Sequence, residues 1–461
     1  MHIGGQIAKP LGCANFHHDP NHSGKNWVKA RKRGSYGPLP THLRWYNLCS
    51  QIVVVSRNTL PIVLLVCARL LSAQNEFATY EYRDLPEYQR TLKALERYRK
   101  LAAEDDGAIL PSTKKPVDPE NHYSGVPRLI RLLRLLGDLP AGTASDDSDV
   151  YTGELVAAVK RFQTRHGLEP DGRIGKATLA ALNTPLSFRV RQLELALERW
   201  RRLPYDPSRP AILLNLPEFR LRAFNAGHAE PALEMKIIDG RAGKRRTPIL
   251  ASQVEIVLFR PYWNVPRSIQ RNELVPQIRK NPGYIAKNEF DIVTPGGVVV
   301  ATQLGKGADD LIAQLRSGKL LLRQRPGPKN ALGLVKFEFP NPYNVYMHDT
   351  PAKHLFAKAR RDFSHGCIRL EHAADLAEWL LRDQNGWTRE NIEAAMQGEA
   401  TFSVKLKHPV PVMTMYLTAV VSADGEVYFY NDIYGDDAAL ERELAAEASP
   451  TSGEPGLHPR E

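Results

Sequence analysis

"AILLNLPEFRLRAF", residues 211–224, is where this chain changes period. After Pro204 the helical spacing of apolar residues gives way to strand pattern. The same signal continues in "LEMKIIDG" (233–240) and "QVEIVLFR" (253–260). A Pro- and charge-rich stretch follows at 260–293 with little strand pattern. Strand signals return at "GLVKFEF" (333–339), "NVYMHD" (344–349), "VMTMYLTAVVS" (412–422) and "EVYFYND" (426–432). "EHAADLAEWLL" (371–381) reads as a helix among them. From Asp436 the chain turns acidic and then Pro/Gly/Ser-rich, which predicts a disordered tail over 436–461.

Upstream of the switch the pattern is helical. Residues 78–103 predict a helix entered after Pro86, with Tyr88, Leu92, Leu95 and Tyr98 at helical spacing. A loop rich in Pro, Gly and charge runs over 104–121. "VPRLIRLLRLLGDL" (126–139) is a short amphipathic helix stopped at Gly137, and 140–149 is a flexible connection. In "YTGELVAAVKRFQTRHGLEPDGRIGKATLAALN" (151–183), Leu155, Val159 and Phe162 share a helix face with Gly167 as its C-cap. "PDGRIG" is a turn, and Thr178, Leu179 and Leu182 belong to a second helix. Residues 187–204 form a longer scaffold helix.

The chain has 461 residues and a net charge of +11. Its length suits about three domains. Residues 1–75 hold nine Lys/Arg and one acid, Asp19, so they contribute +8 of that total. The charge is a basic leader rather than a nucleic-acid footprint. Leu60 to Ala68 is uninterruptedly apolar, and Ser72, Ala73 and Gln74 follow. That order resembles a secretory signal, although the basic part is long and Leu71 suits a cleavage site poorly. The run is short for a spanning helix, and Arg69 interrupts it. Cys13, Cys49 and Cys67 fall in or before the leader. Once it is removed Cys367 has no partner, which leaves an inert core thiol or a reactive one.

Cys367 lies in "FSHGCIRLEH" (363–372). A thiol attacks a carbonyl as thiolate, so it needs a base and donors for the oxyanion. Gly366 lets the backbone approach a substrate closely. His348, at the end of the strand in "YMHDTP", is the favoured base. His365 competes, but two residues from the thiol its geometry is awkward without a sharp turn. Each histidine could equally be structural. One cysteine without a CxxC pattern argues against zinc.

His348, then fifteen residues, then Ser364-His365-Gly366-Cys367-Ile368-Arg369 resembles the signature of L,D-transpeptidases with a YkuD-type catalytic domain. "NLPEFRLRAF", "RPYWNVPRSI", "NALGLVKFEFPNPYNVYMHDTP" and "YLTAVVSADGEVYFYNDIYG" resemble the large, YcbB-like branch of that family. Residues 123–186 similarly resemble a three-helix peptidoglycan-binding domain, through Val159, Phe162, Gln163, Gly167, Leu168, Asp171, Gly172, Gly175, Thr178 and Leu182. The resemblance implies an α+β multidomain chain. Its parts would be a helical scaffold (76–122), the binding domain (123–186), a scaffold helix (187–204) and a mixed, β-sandwich-like catalytic domain (205–435) capped by about 260–335.

It further implies that Cys367 is the nucleophile and that His348 is the proton carrier, oriented by the backbone carbonyl of Asp349. His365 and Gly366 would line the oxyanion side. Arg369, Ser364, Tyr346 and Trp263 would meet substrate, although Arg369 could serve a salt bridge and the aromatics a core. The substrate would be tetrapeptide stems of peptidoglycan, crosslinked 3→3 in the periplasm. No cofactor, metal or nucleic acid is implied, and the membrane enters only through an uncleaved leader. Hydrolysis by the same thiol, as in an L,D-carboxypeptidase or endopeptidase, and a catalytically dead wall-binding protein are the alternatives.

Overall fold

The computed structural model describes residues 81–142, 149–305 and 307–448. The leader and its apolar run lie outside them, as does most of the 140–149 connection. Helix α1 (Pro86–Glu104) starts at its proline, whose missing N–H costs nothing at a helix start. Helix α2 (Val126–Leu136) ends at Gly137, whose φ of +83° closes the helix. Helices α3 (Gly153–Arg165), α4 (Lys176–Leu182) and α5 (Leu186–Arg202) follow.

Helices α2, α3 and α4 enclose their own core around Leu129, Leu133, Val159 and Phe162. One buried amide organises its turn. Gln163 Nε2 donates to Asp171 Oδ1 at 3.0 Å and Thr178 Oγ1 at 3.1 Å, while Gly172 N–H donates to Gln163 Oε1 at 2.8 Å. Gln163 and Thr178 are therefore interior staples rather than displayed sugar contacts, while the exposed Asp171 closes the turn.

The strands that follow are β1 (Ala211–Asn215), β2 (Arg220–Phe224), β3 (Leu233–Ile238) and β4 (Ala251–Phe259). Short strands β5 (Trp263–Asn264), β6 (Phe290–Val293), β7 (Val299–Ala301) and β8 (Leu321–Gln324) come next. Then come β9 (Val335–Glu338), β10 (Met347–His348), β11 (Ile368–Leu370), β12 (Phe402–Met415), β13 (Ala419–Val421) and β14 (Val427–Phe429).

Eight of these strands close into a barrel in the order β1-β12-β4-β9-β10-β11-β3-β2. This replaces the sandwich-like arrangement expected from sequence. The cause is β12, which pairs parallel with β1 at one end and antiparallel with β4 along its length. Its register shifts between Lys405 and Val410, and a bulge of that kind bends a strand far enough to join two sheet edges.

Strands β5–β8 form a separate four-stranded sheet over a small core of Ile278, Ile285, Ile292 and Leu322. The sequence suggested little strand there, because each strand has only two to four residues. A second correction concerns the tail. Residues Asp436–Ala448 form a helix, α8 in a count that includes α6 (Ala373–Leu381) and α7 (Arg389–Gln397). The Asp432 carboxylate accepts the N–H groups of Asp436 and Asp437 at 2.8 and 3.1 Å. Asp437 is buried and meets Arg199 at 2.5 Å and Thr418 Oγ1 at 2.6 Å. Acidic residues that look solvated in sequence are here matched to the basic face of α5. No helix among the described residues is long and apolar enough to cross a membrane.

The binding unit and the β13–β14 hairpin share a buried junction. Arg165 Nε donates to Asp138 Oδ1 at 2.9 Å and its Nη1 to the Val427 carbonyl at 2.9 Å. His166 stacks on Phe162 and Phe429.

Candidate active site

The site is set by register. Met347 pairs with Phe337 on one side and Ile368 on the other, and all three are fully buried in the barrel core. The next residues along, Lys336, His348 and Arg369, pair across the same three strands and face the opposite way. Cys367 immediately precedes β11 and Tyr346 immediately precedes β10, so both join that outer face. Adjacent strands and a two-residue offset put the Cys367 and His348 Cα atoms roughly 8 Å apart, within side-chain reach.

His348 is buried, and its Nδ1 meets the Asp349 carbonyl oxygen at 2.5 Å. A carbonyl only accepts, so Nδ1 carries the hydrogen and Nε2 keeps its lone pair. Burial, and then the nearby Arg369 guanidinium, hold the imidazole down to about 3. It is a neutral base throughout the physiological range. The Asp349 carboxylate has work of its own. Its Oδ2 accepts Leu334 N–H at 2.9 Å, and its Oδ1 meets Lys353 Nζ at 2.8 Å. Gly333, at φ +64°, passes so close that a Cβ there would collide with that carboxylate.

Asp349→Asn keeps an oxygen for Leu334 and loses only a contact to a half-exposed ammonium, so activity should stay within about threefold of the parent. Asp349→Ala strands the Leu334 N–H and should cost about 1–3 kcal/mol in denaturant unfolding.

Cys367 is a free thiol, partly accessible, with Sγ 3.9 Å from the Asn344 carbonyl. Burial pushes it above the usual thiol range, opposed by hydrogen bonds from the Tyr346 backbone and phenol and by the charges of Lys336 and Arg369. Tyr346 thus sits against the sulfur itself. Burial, and then the neighbouring Cys367, raise its phenol far above the ordinary value, so it remains a donor. Lys336 Nζ lies 4.1 Å from the Tyr346 ring centroid. Among the described residues no hydrogen bond joins Cys367 to either histidine.

Four residues expected at the substrate or oxyanion make other contacts. Ser364 is buried, with its hydroxyl donating to the Cys367 carbonyl at 2.6 Å and accepting Gly366 N–H at 3.0 Å. That same bond occupies the Gly366 N–H, so Gly366 shapes the loop instead, with φ +119° and its carbonyl accepting from Thr247 Oγ1 at 2.8 Å. Trp263 belongs to the β5–β8 sheet and packs toward Phe290, 6.2 Å between centroids. His365 is engaged with the β5–β8 unit, with Nε2 2.7 Å from Glu273 Oε1. Glu273 also meets Arg245 at 2.7 Å. Arg369 makes no ion pair among the described residues, and its buried Nε has no hydrogen-bond partner.

Sequence reasoning missed Asp239, fully buried behind the nucleophile loop. Its backbone carbonyl accepts Ser364 N–H at 2.8 Å. Burial, and then Asp362, push its carboxyl well above the carboxylate range. The run "IIDGR" carried no signal for this, because only the fold brings Asp362 beside it.

The model of the YkuD family, an L,D-transpeptidase catalytic domain, matches residues 209–412. The model described as "Putative peptidoglycan binding domain" matches residues 123–182. A protein of Haemophilus influenzae named "Putative L,D-transpeptidase" is 31% identical over 252 residues, which is 54% of this chain and 49% of that protein. The chain thus spans about half the length of that relative. Among solved structures, the Ldtfm–avibactam carbamoyl enzyme aligns over 70% of this chain and 98% of its own, at 10% identity and TM-score 0.19. A fused Zn-dependent amidase/peptidase/peptidoglycan-binding protein of Clostridium acetobutylicum covers 66% of this chain and 100% of its own, at 13% identity and TM-score 0.18. At those scores neither likeness bears on the fold. The chain thus carries a YkuD-type L,D-transpeptidase catalytic domain over residues 209–412 and a peptidoglycan-binding domain over residues 123–182.

Proposed function

We propose that this chain is a periplasmic peptidoglycan L,D-transpeptidase that forms 3→3 crosslinks through a thioester on Cys367. The observation that carries the reading is the shared face of β10 and β11, where a lone thiol and a neutral, tautomerically fixed imidazole stand within reach of each other inside the YkuD domain. His348 Nε2 takes the thiol proton as sulfur attacks the carbonyl between diaminopimelate and D-alanine. The C–N bond breaks, and the imidazolium returns its proton to the departing amine. The side-chain amine of a second diaminopimelate then attacks the thioester, passes its proton to Nε2, and expels the sulfur. The phenol of Tyr346 is the proposed oxyanion donor, in place of the Gly366 N–H that Ser364 occupies. Arg369, charged and short of partners, suits a substrate carboxylate.

Mass spectrometry of digested sacculi treated with the whole chain tests this. Crosslinked 3→3 dimers, absent with Cys367→Ala, are expected. Tripeptides without dimers would assign hydrolysis instead, and no change at all would sink both chemistries.

The resting state has its own signature. A raised thiol beside a base held near 3 is a neutral pair rather than a thiolate–imidazolium pair. Thiolate therefore accumulates only as pH climbs above the ordinary thiol range. The rate of iodoacetamide alkylation at Cys367 should rise through pH 9 with no plateau near neutrality. An inflection below pH 7 would show a resting ion pair and refute the concerted proton transfer.

A further inference from the structure

A cleft among the described residues has no contact with Cys367. It measures about 340 Å³ and lies over the outer ends of β1 and β2, between α1, α5 and the β13–β14 hairpin. That volume suits a small ligand, and the junction of a helical layer with a barrel is a common place for one. Its floor is apolar, with Trp200, Phe224 and Leu417 among the lining side chains. One wall is electrically closed. Arg222 makes two bonds to Glu218, at 2.8 and 2.6 Å, and a third to Glu234 at 2.6 Å. Arg220 also meets Glu234, at 2.5 Å. Two guanidiniums and two carboxylates satisfy one another there.

Three lining charges are not satisfied. Glu87 is mostly buried, and its one ionic contact is Arg90 Nη2 at a loose 3.4 Å. Burial raises its carboxyl above the usual range, and the charge of Glu230 across the cleft raises it further, against the lowering pull of Arg90 and Arg222. Arg90 Nε is sealed from solvent with no hydrogen-bond partner. Glu230 stands on the exposed turn between β2 and β3. Two carboxylates and one guanidinium with spare capacity thus surround an apolar pocket. That set complements an aliphatic arm ending in both an ammonium and a carboxylate, with the ammonium between Glu87 and Glu230 and the carboxylate on Arg90.

We infer that this cleft is a second wall-peptide site, which holds the free amino-acid end of a diaminopimelate side chain apart from the reacting centre. The inference rests on the peptidoglycan reading of the chain. It gives the protein a grip on a stem it is not crosslinking, on the face of the barrel formed by β1 and β2.

Titration calorimetry of the whole chain with free tetrapeptide, L-Ala–γ-D-Glu–meso-diaminopimelate–D-Ala, tests it in a Cys367→Ala background. Two binding events are expected. Adding Glu87→Gln and Arg90→Gln should remove one event or weaken it at least tenfold. Glu230→Gln, on an exposed turn that cannot upset folding, should weaken the same event severalfold. A stem with lysine in place of diaminopimelate lacks the carboxylate and should lose the Arg90-dependent event alone. A single event that ignores all three substitutions would overturn the inference. Acylation of Cys367 by a carbapenem, read as a mass shift in the parent chain, keeps the two readings apart. Acylation without a second binding event defeats only the second site, whereas no acylation defeats the catalytic reading.

Discussion

Cys367→Ala should lower the rate of acyl transfer by about 10⁴-fold or more while the protein unfolds at the same denaturant concentration as the parent. The thiol contributes little volume and is partly accessible, and its contacts to the Asn344 carbonyl and to Tyr346 are weak sulfur hydrogen bonds, so its loss leaves no large cavity. His348→Ala should lose nearly as much, because the imidazole carries the proton in every step. The double variant should be no slower than the worse single one, since thiol and imidazole act as a unit. His348→Ala differs in also vacating a buried site and freeing the Asp349 carbonyl, so it should be measurably less stable, by about 1–3 kcal/mol. Single-turnover mass spectrometry of the acyl-enzyme together with urea unfolding checks both arms. A Cys367→Ala protein that still produced 3→3 dimers would end the thioester account.

Asp138→Ala should be the most damaging substitution outside the site, costing about 3–5 kcal/mol. It leaves the guanidinium of Arg165, 8% exposed at its side chain, without its carboxylate. The remaining bond to the Val427 carbonyl cannot offset a buried charge. Because this pair joins the three-helix unit to the β13–β14 hairpin, limited proteolysis of Asp138→Ala should cut the chain between α2 and α3 sooner than in the parent. The double variant Asp138→Leu with Arg165→Met removes both charges and should recover most of the lost stability. Failure of that rescue would mean the junction depends on the stacking of His166 against Phe162 and Phe429 instead.

Much of the helical part is legible in the sequence, because its stops are local chemistry. Pro86 opens a helix, and Gly137 and Gly167 close two others with left-handed backbone. The strand blocks are legible too, since each carries its own run of β-branched and aromatic residues. Barrel closure is not, because β1 and β12 meet across nearly two hundred residues and nothing local in either announces the other. The tail helix was missed for a related reason, as its acids are neutralised by Arg191, Arg199 and Arg202 far upstream. In the site, residue types gave Cys367 and His348. Their surroundings needed three dimensions: Tyr346 against the sulfur, Ser364 turned inward, and the buried Asp239 behind the loop.

The contact between His365 and Glu273 joins two parts of the molecule. Glu273 belongs to the wide π turn of the small β5–β8 unit, while His365 is two residues from the sulfur. With Arg245 as third member, the clasp tethers the β5–β8 unit to the loop that carries Cys367. Moving that unit away from the loop means releasing a carboxylate from two cationic or donor partners. All three groups are about a third exposed, so dissolved salt competes with them directly. The ionic strength of the medium is thereby linked to how firmly the β5–β8 unit is held to the backbone beside the thiol.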